Sequence, residues 1–177
     1  TTILVTHDQE EALTVADRLV VMQDGHVRQI GTKRDLYERP ADRFVASFIG
    51  RSCFNEGVIS HPGRFETEDG LVFKVDQSAP LGPASLALRP ERFAIGPGAE
   101  SMDNHFRGNV EFVSYLGSSI DAHIRQGAST KLVVQFPNKE GFIEPAEGDD
   151  ILIGWARTAG LIYPRQTGPQ AGRGDRP

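Results

Sequence analysis

The chain has 177 residues, with 19 Lys and Arg against 24 Asp and Glu, for a formal net charge of −5. No Lys/Arg-rich block stands out, which argues against nucleic acid as the main partner, because phosphate contacts need a basic face. Cys53 is the only cysteine. An intrachain disulfide framework and a cysteine metal cage are therefore excluded, and no apolar run approaches the roughly 18 residues of a membrane span.

The first fifty residues read as α/β. Ile3-Leu4-Val5 is a continuous apolar run, the pattern of a strand covered on both faces. Asp8 is placed to cap the helix that follows, and Glu10 and Glu11 fall in its first turn, where the helix dipole favours acids. Ala12, Val15, Ala16 and Leu19 share one side at helical spacing. Leu19 to Met22 is a second apolar run, and Asp24-Gly25 turns it into a hairpin with His26 to Ile30. Thr32 with Asp35 three residues on resembles a capping box that opens a short helix through Leu36 and Tyr37, stopped by Pro40. A further helix from about Ala41 carries Phe44, Val45, Phe48 and Ile49, and Gly50 suits its C-terminal cap.

After Gly50 the periodicity changes. Short strands are expected near Glu56–Ser60, Leu71–Val75, Ser85–Arg89, Arg92–Ile95, Arg107–Tyr115, Asp121–Arg125, Lys131–Phe136 and Ile151–Ala156. Gly and Pro punctuate them, the pattern of an all-β small barrel or sandwich. Gly117 is read as a bend or bulge where the barrel turns a corner. From about Thr167 almost nothing is apolar, so 166–177 is expected to be a disordered tail. The β part, 51–165, can close on itself. A strand at Ile3–Val5 needs neighbours reached through crossovers, so Thr1, which opens no secretory leader pattern, is expected to lie inside a larger fold, with its strand edge frayed or open to pairing.

His7 ends the first apolar run just before a helix start, a position from which an imidazole can face an anion or orient a water. On the local pattern alone, such a histidine is more often a satisfied structural residue. A metal site of His7, Asp8 and Glu11 is the weaker alternative, because Asp8 is better used as a cap and no second ligand cluster accompanies it. His26 is expected to face solvent; His61, His105 and His123 are scattered without ligand spacing. Trp155 reads as core packing, and Arg173-Gly174-Asp175 as a chance tripeptide.

The run from Thr2 to Gly50 contains in order THD, EAxxxADR, a DG hairpin, QxG and LYxxPADxFVAxFIG. It closely resembles the end of the ATP-binding subunit of ABC importers of the maltose/polyamine type. Leu88-Arg89-Pro90-Glu91, Gly108-Asn109-Val110, Tyr115-Leu116-Gly117-Ser118, Gly148-Asp149 and Trp155 resemble elements of that family's C-terminal regulatory domain, called TOBE. The resemblance implies a fold in two parts: 1–50 as the C-terminal end of a P-loop ABC ATPase domain, and 51–165 as a TOBE-type, OB-like barrel. It makes His7 the switch histidine beside the γ-phosphate of ATP. It implies ATP and Mg as cofactors of the complete subunit, a second copy of the subunit, permease subunits and an external solute-binding protein as partners, and a place at the cytoplasmic face of the membrane. Polyamine is the first cargo it suggests, then sugar. The GxxxxGK(S/T) loop, the LSGGQ signature and the Asp-Glu strand are absent from the 177 residues, so the chain by itself is not expected to hydrolyse ATP. For the β part a regulatory and dimerisation role stands beside two alternatives, a small-solute or oxyanion sensor and a free-standing structural interaction module.

Overall fold

Ten strands follow residue 52, and their apolar faces meet in one core. The computed structural model describes residues 2–76, 78–140 and 144–165; the tail 166–177, with its Arg-Gly-Asp tripeptide, lies outside the described residues. The N-terminal part comprises α1 (Gln9–Val15), the antiparallel hairpin of β1 (Leu19–Gln23) and β2 (His26–Gly31), α2 (Lys33–Glu38) and α3 (Arg43–Phe48). Then come β3 (Cys53–His61), β4 (Arg64–Thr67), β5 (Val72–Lys74), β6 (Gly82–Leu88), β7 (Ala94–Ile95), β8 (Asn104–Tyr115), β9 (Ser119–Gln126), β10 (Thr130–Pro137), β11 (Asp150–Trp155) and β12 (Leu161–Pro164). They form two sheets, ordered β12-β6-β3-β4-β5 and β10-β9-β8-β11-β7, in which every neighbouring pair is antiparallel.

The sheets share a core of Ile59, Phe65, Leu86 and Leu88 from one side and Val110, Ile124, Val134 and Ile153 from the other. Trp155 lies at its centre, edge-on to Phe73 at 5.0 Å, Phe93 at 5.3 Å and Phe106 at 5.8 Å between centroids. The expected barrel takes the form of two sheets whose seams are bridged by side chains. At one seam the Lys131 amide donates to Asn55 Oδ1 (3.3 Å) and the Val133 amide to Cys53 Sγ (3.1 Å), so β3 meets β10 without a backbone ladder. At the other the Asn104 side chain acts as a surrogate peptide for β5: its Oδ1 accepts from the Lys74 amide (2.7 Å) and its Nδ2 donates to the Lys74 carbonyl (2.9 Å). Edge groups that a strand would satisfy are satisfied this way instead.

Several local expectations hold for the reasons given. Asp8 caps α1 by accepting from the Glu11 amide at 3.0 Å, and Thr32 and Asp35 form a reciprocal capping box on α2. Others are corrected. Ile3–Val5 forms no strand, as its expected fraying allows, and Ile3 and Val5 are 87% and 92% exposed, because among the described residues no strand lies beside them to offer a ladder or a cover. On α1, Val15 is exposed, and Leu13 joins Ala12 and Ala16 against the cluster of Leu19, Val21, Leu36, Val45 and Ile49. Gly117 does supply the expected bend, between β8 and β9 with φ +81°; the bulge in this hairpin is elsewhere, at the register shift between Val110 and Phe112. β4 and β12 were not expected. Each has only four residues, one charged at alternate positions and the other ended by Pro164.

Asp69 fastens the β4–β5 turn to the β9–β10 hairpin, accepting from the amides of Ser129 (2.9 Å) and Thr130 (3.0 Å) and from Thr130 Oγ1 (2.8 Å). Burial pushes its carboxyl pKa up, but hydrogen bonds from Thr67, Ser129 and Thr130 outweigh burial and hold it well below the usual carboxylate range. Its folded value therefore lies below its unfolded one. The stability it confers is complete above about pH 4 and is lost as pH falls through the folded value. Asp69→Asn is expected to cost about 1–3 kcal/mol at neutral pH and to flatten the acid limb of the stability curve; urea denaturation from about pH 2 to about pH 7 reads both.

Candidate functional site

The segment that carries His7 is built locally. The Asp8 amide donates to Thr6 Oγ1 (3.0 Å) and Asp8 then caps α1, so the turn around His7 is fixed by its immediate neighbours. The imidazole is exposed, and among the described residues it makes no hydrogen bond or ion pair. None of His26, His61, His105 and His123 is brought to it as a ligand partner, and among the described residues no three His, Cys, Asp or Glu side chains gather to hold a metal. His26 is exposed, with Nδ1 2.9 Å from the Asp24 carbonyl. His123 stacks on Phe112 at 3.8 Å, and burial pushes its pKa down. Among the described residues His7 supplies one exposed ring at the head of a short helix.

A second centre was not foreseen from residue patterns. Arg89 closes β6 and is only 4% exposed, yet it makes no ion pair among the described residues. A buried guanidinium requires hydrogen-bond acceptors, and they come from the N-terminal part and the segment after it. Nη2 donates to the Tyr37 carbonyl (2.9 Å), Nη1 donates to the Arg51 carbonyl (3.1 Å) and Ser52 Oγ (3.3 Å), and the guanidinium lies over the Tyr37 ring at 4.1 Å. The Tyr37 hydroxyl donates to Glu91, two residues beyond Arg89. Burial, with Glu91 adding to it, pushes the Tyr37 pKa up to about 12, so the phenol remains a neutral donor through the physiological range.

Around this junction the outer face of the β12-β6-β3 sheet is covered by α3. Ala46 packs with Ala87 and Tyr163, and the Tyr163 hydroxyl donates to the Pro40 carbonyl at 3.4 Å. Arg43 pairs with Glu56 and donates to Ser85 Oγ (2.8 Å), its guanidinium 4.6 Å from the centre of the Phe54 ring. β6 is thus buried on both faces, Leu86 and Leu88 inward, Ser85 and Ala87 toward α3. That explains its nearly unbroken apolar sequence. Arg51 extends the join to the second sheet by pairing with Asp121 on β9, which is 1% exposed. The signal available in the sequence was the arginine itself, placed directly after the buried Leu86-Ala87-Leu88 run.

A cavity of about 660 Å³ lies elsewhere, beside β7 and β11. Its lining includes Ile95, Phe136 and Ile151 together with Glu100, Glu144 and Asp149, and among the described residues Arg107, which faces Asp150 at 3.6 Å, is its one cation. Three carboxylates make this a poor seat for an oxyanion.

The TOBE domain family matches residues 86–162, which run from within β6 into β12. The chain is 37% identical over 139 residues to an Fe(3+) ions import ATP-binding protein of Rhizobium meliloti, covering 76% of this chain and 38% of that protein. It is 37% identical over 166 residues to a spermidine/putrescine import ATP-binding protein of Rubrobacter xylanophilus, covering 88% and 43%. Against an sn-glycerol-3-phosphate import ATP-binding protein of Salmonella choleraesuis the identity is 38% over 174 residues, covering 95% and 47%. The chain spans less than half the length of these curated relatives. Together the matches support the C-terminal part of an ABC importer ATP-binding subunit, and the similarity does not follow the cargo for which each relative is named. Replacing Arg89 by Lys keeps the charge but loses the planar fork and its stack on Tyr37. Arg89→Lys is expected to cost about 2–3 kcal/mol, measured by thermal or urea denaturation, with hydrogen exchange rising first at Leu36 and Val45.

Proposed function

We propose that this chain is the end of an ATP-hydrolysing subunit of a solute importer: residues 1–50 complete its nucleotide-binding domain, and 51–165 form its regulatory β domain. The observation that carries the reading is a similarity that runs through both parts, reaching 95% of the chain in one relative. Two structural features support it. The hairpin face formed by Val20, Met22, Val27 and Ile30 is exposed, each side chain more than half accessible, with Val20 opposite Ile30 and Met22 opposite Val27. Such a paired apolar face suits burial against the rest of a larger domain. His7 is likewise exposed and uncommitted at the head of α1.

In this reading ATP is the substrate, with Mg, and its cradle comes from the remainder of the subunit. The His7 imidazole donates a hydrogen bond to the γ-phosphate and helps orient the attacking water. Phosphoryl transfer depends chiefly on positioning and on stabilising charge, so one well-placed donor matters. The β domain holds two copies of the subunit together while their nucleotide domains open and close. The assembly sits at the cytoplasmic face of the membrane with permease subunits and an external solute-binding protein; among the described residues no helix is long and apolar enough to cross a membrane. Polyamine is the first cargo to test, then sugar, with iron and glycerol phosphate beside them on the strength of the relatives' names. Trp155 offers no guide to the cargo, since it is committed to the core.

The expected outcome is that the complete subunit hydrolyses ATP, that His7→Ala lowers kcat by about 100-fold or more, and that residues 1–177 alone do not hydrolyse it. A His7→Ala subunit with undiminished turnover would overturn the assignment. Sedimentation of the complete subunit over a concentration series tests the dimer, which fails if the protein stays monomeric at high concentration.

A further inference from the structure

Hydrogen bonds within the segment and one from a distant residue, Gly50, hold the start of α1. Thr6 and Asp8 fix the turn around His7 from within. Lys33 Nζ donates to the Leu13 carbonyl at 2.8 Å, but this contact lies a turn further along the helix. At Gln9, two residues from His7, the side-chain Oε1 accepts from the Gly50 amide at 3.1 Å.

Gly50 is an unusual place to be anchored. It follows the C-cap of α3 with φ +76°, a conformation that favours glycine. A Cβ added there would lie 2.7 Å from Tyr37 Cε2 and 2.9 Å from Arg89 Nη1. Gly50 is therefore wedged between the two side chains whose stack joins the N-terminal part to the β domain. Its carboxyl-side neighbour, Arg51, supplies one acceptor of Arg89 through its carbonyl and pairs with buried Asp121 through its guanidinium. Continuous contacts run from His7 through Gln9 and Gly50 to Arg89 and from there into both sheets.

We infer that Gln9 is a positioning residue: it references the rigid turn bearing His7 to the Arg89 junction, so that the β domain sets where the imidazole stands. The inference rests on the role proposed for His7 and extends it, by assigning how that histidine is held and from where its position is adjusted. A side-chain carbonyl serves this better than a backbone ladder, because one hydrogen bond is strong enough to bias the turn and weak enough to yield when the junction moves.

The test has two readouts. In the 177-residue chain, Gln9→Leu is expected to raise hydrogen exchange at the Gly50 amide about fivefold, to leave the Ile49 amide, which is bonded to the Val45 carbonyl, unchanged, and to broaden the orientations sampled by the His7 ring in NMR relaxation. Gln9→Glu keeps an acceptor oxygen and should restore Gly50 protection. In the complete subunit Gln9→Leu should lower kcat about tenfold with KM for ATP unaltered, the signature of a positioning loss, and Gln9→Glu should recover most of it. Unchanged Gly50 exchange in Gln9→Leu, or unchanged kcat, overturns the inference. His7→Ala separates the two claims. If it spares turnover, the role of His7 fails whatever Gln9 does. If it abolishes turnover while Gln9→Leu does not lower it, only the positioning role of Gln9 is lost.

Discussion

The constraint on which the rest depends is a buried positive charge that has no ion-pair partner among the described residues. Arg89 is enclosed at the end of β6, and its hydrogen-bond acceptors are the Tyr37 and Arg51 carbonyls and Ser52 Oγ. Leaving a guanidinium unsolvated costs several kcal/mol, so α2 and the segment after α3 must remain docked for the β domain to keep this residue inside. Glu91 contributes at one remove, by holding the tyrosine whose ring lies beneath the guanidinium. Joining two structural parts through a buried charge makes their separation expensive. It also makes the join specific in direction, since carbonyl oxygens and a guanidinium fork fit together in few geometries.

The two parts otherwise obey different rules. The β domain carries its own core around Trp155 and satisfies its edges through Asn55, Cys53 and Asn104. The N-terminal part has a much smaller cluster around Leu36 and Val45, and leaves one face of its hairpin bare. Burial of apolar area is the chief favourable contribution to folding. The N-terminal part therefore draws its order largely from α3 packed on Ala87 and Tyr163, and from the Arg89 junction. A proposed catalytic histidine at the far end of the weaker part is thereby placed under the influence of the stronger one.

Much of this architecture could be read in the sequence where a residue's role is local. Asp8, Thr32 with Asp35, and Asp24-Gly25 each act on neighbours within a turn, and each does what its position implies; Gly50 follows the end of α3 as expected, but its amide bonds the distant Gln9. Strands long enough to alternate, such as β8 and β10, were also legible. Legibility ended where the partner is distant in the chain. Nothing near Arg89 announces that Tyr37 will be its platform, and nothing near Asn104 announces Lys74. Ile3–Val5 shows the reverse case: an apolar run states a preference for burial, but it becomes a strand only where a second strand lies beside it. The character of Val15 was misread because α1 has just seven residues, too few for a helical stripe to distinguish position 13 from position 15.

The side-chain seams between the sheets have a consequence for inheritance. A backbone ladder is indifferent to which residues compose it, so no single substitution erases it. The closures at Asn55 with Cys53 and at Asn104 are encoded residue by residue, and one altered codon removes the Asn104 closure or half of the other. A lineage of such domains can therefore loosen or tighten one side of the barrel independently of the other, with the strand order and the Trp155 core left intact.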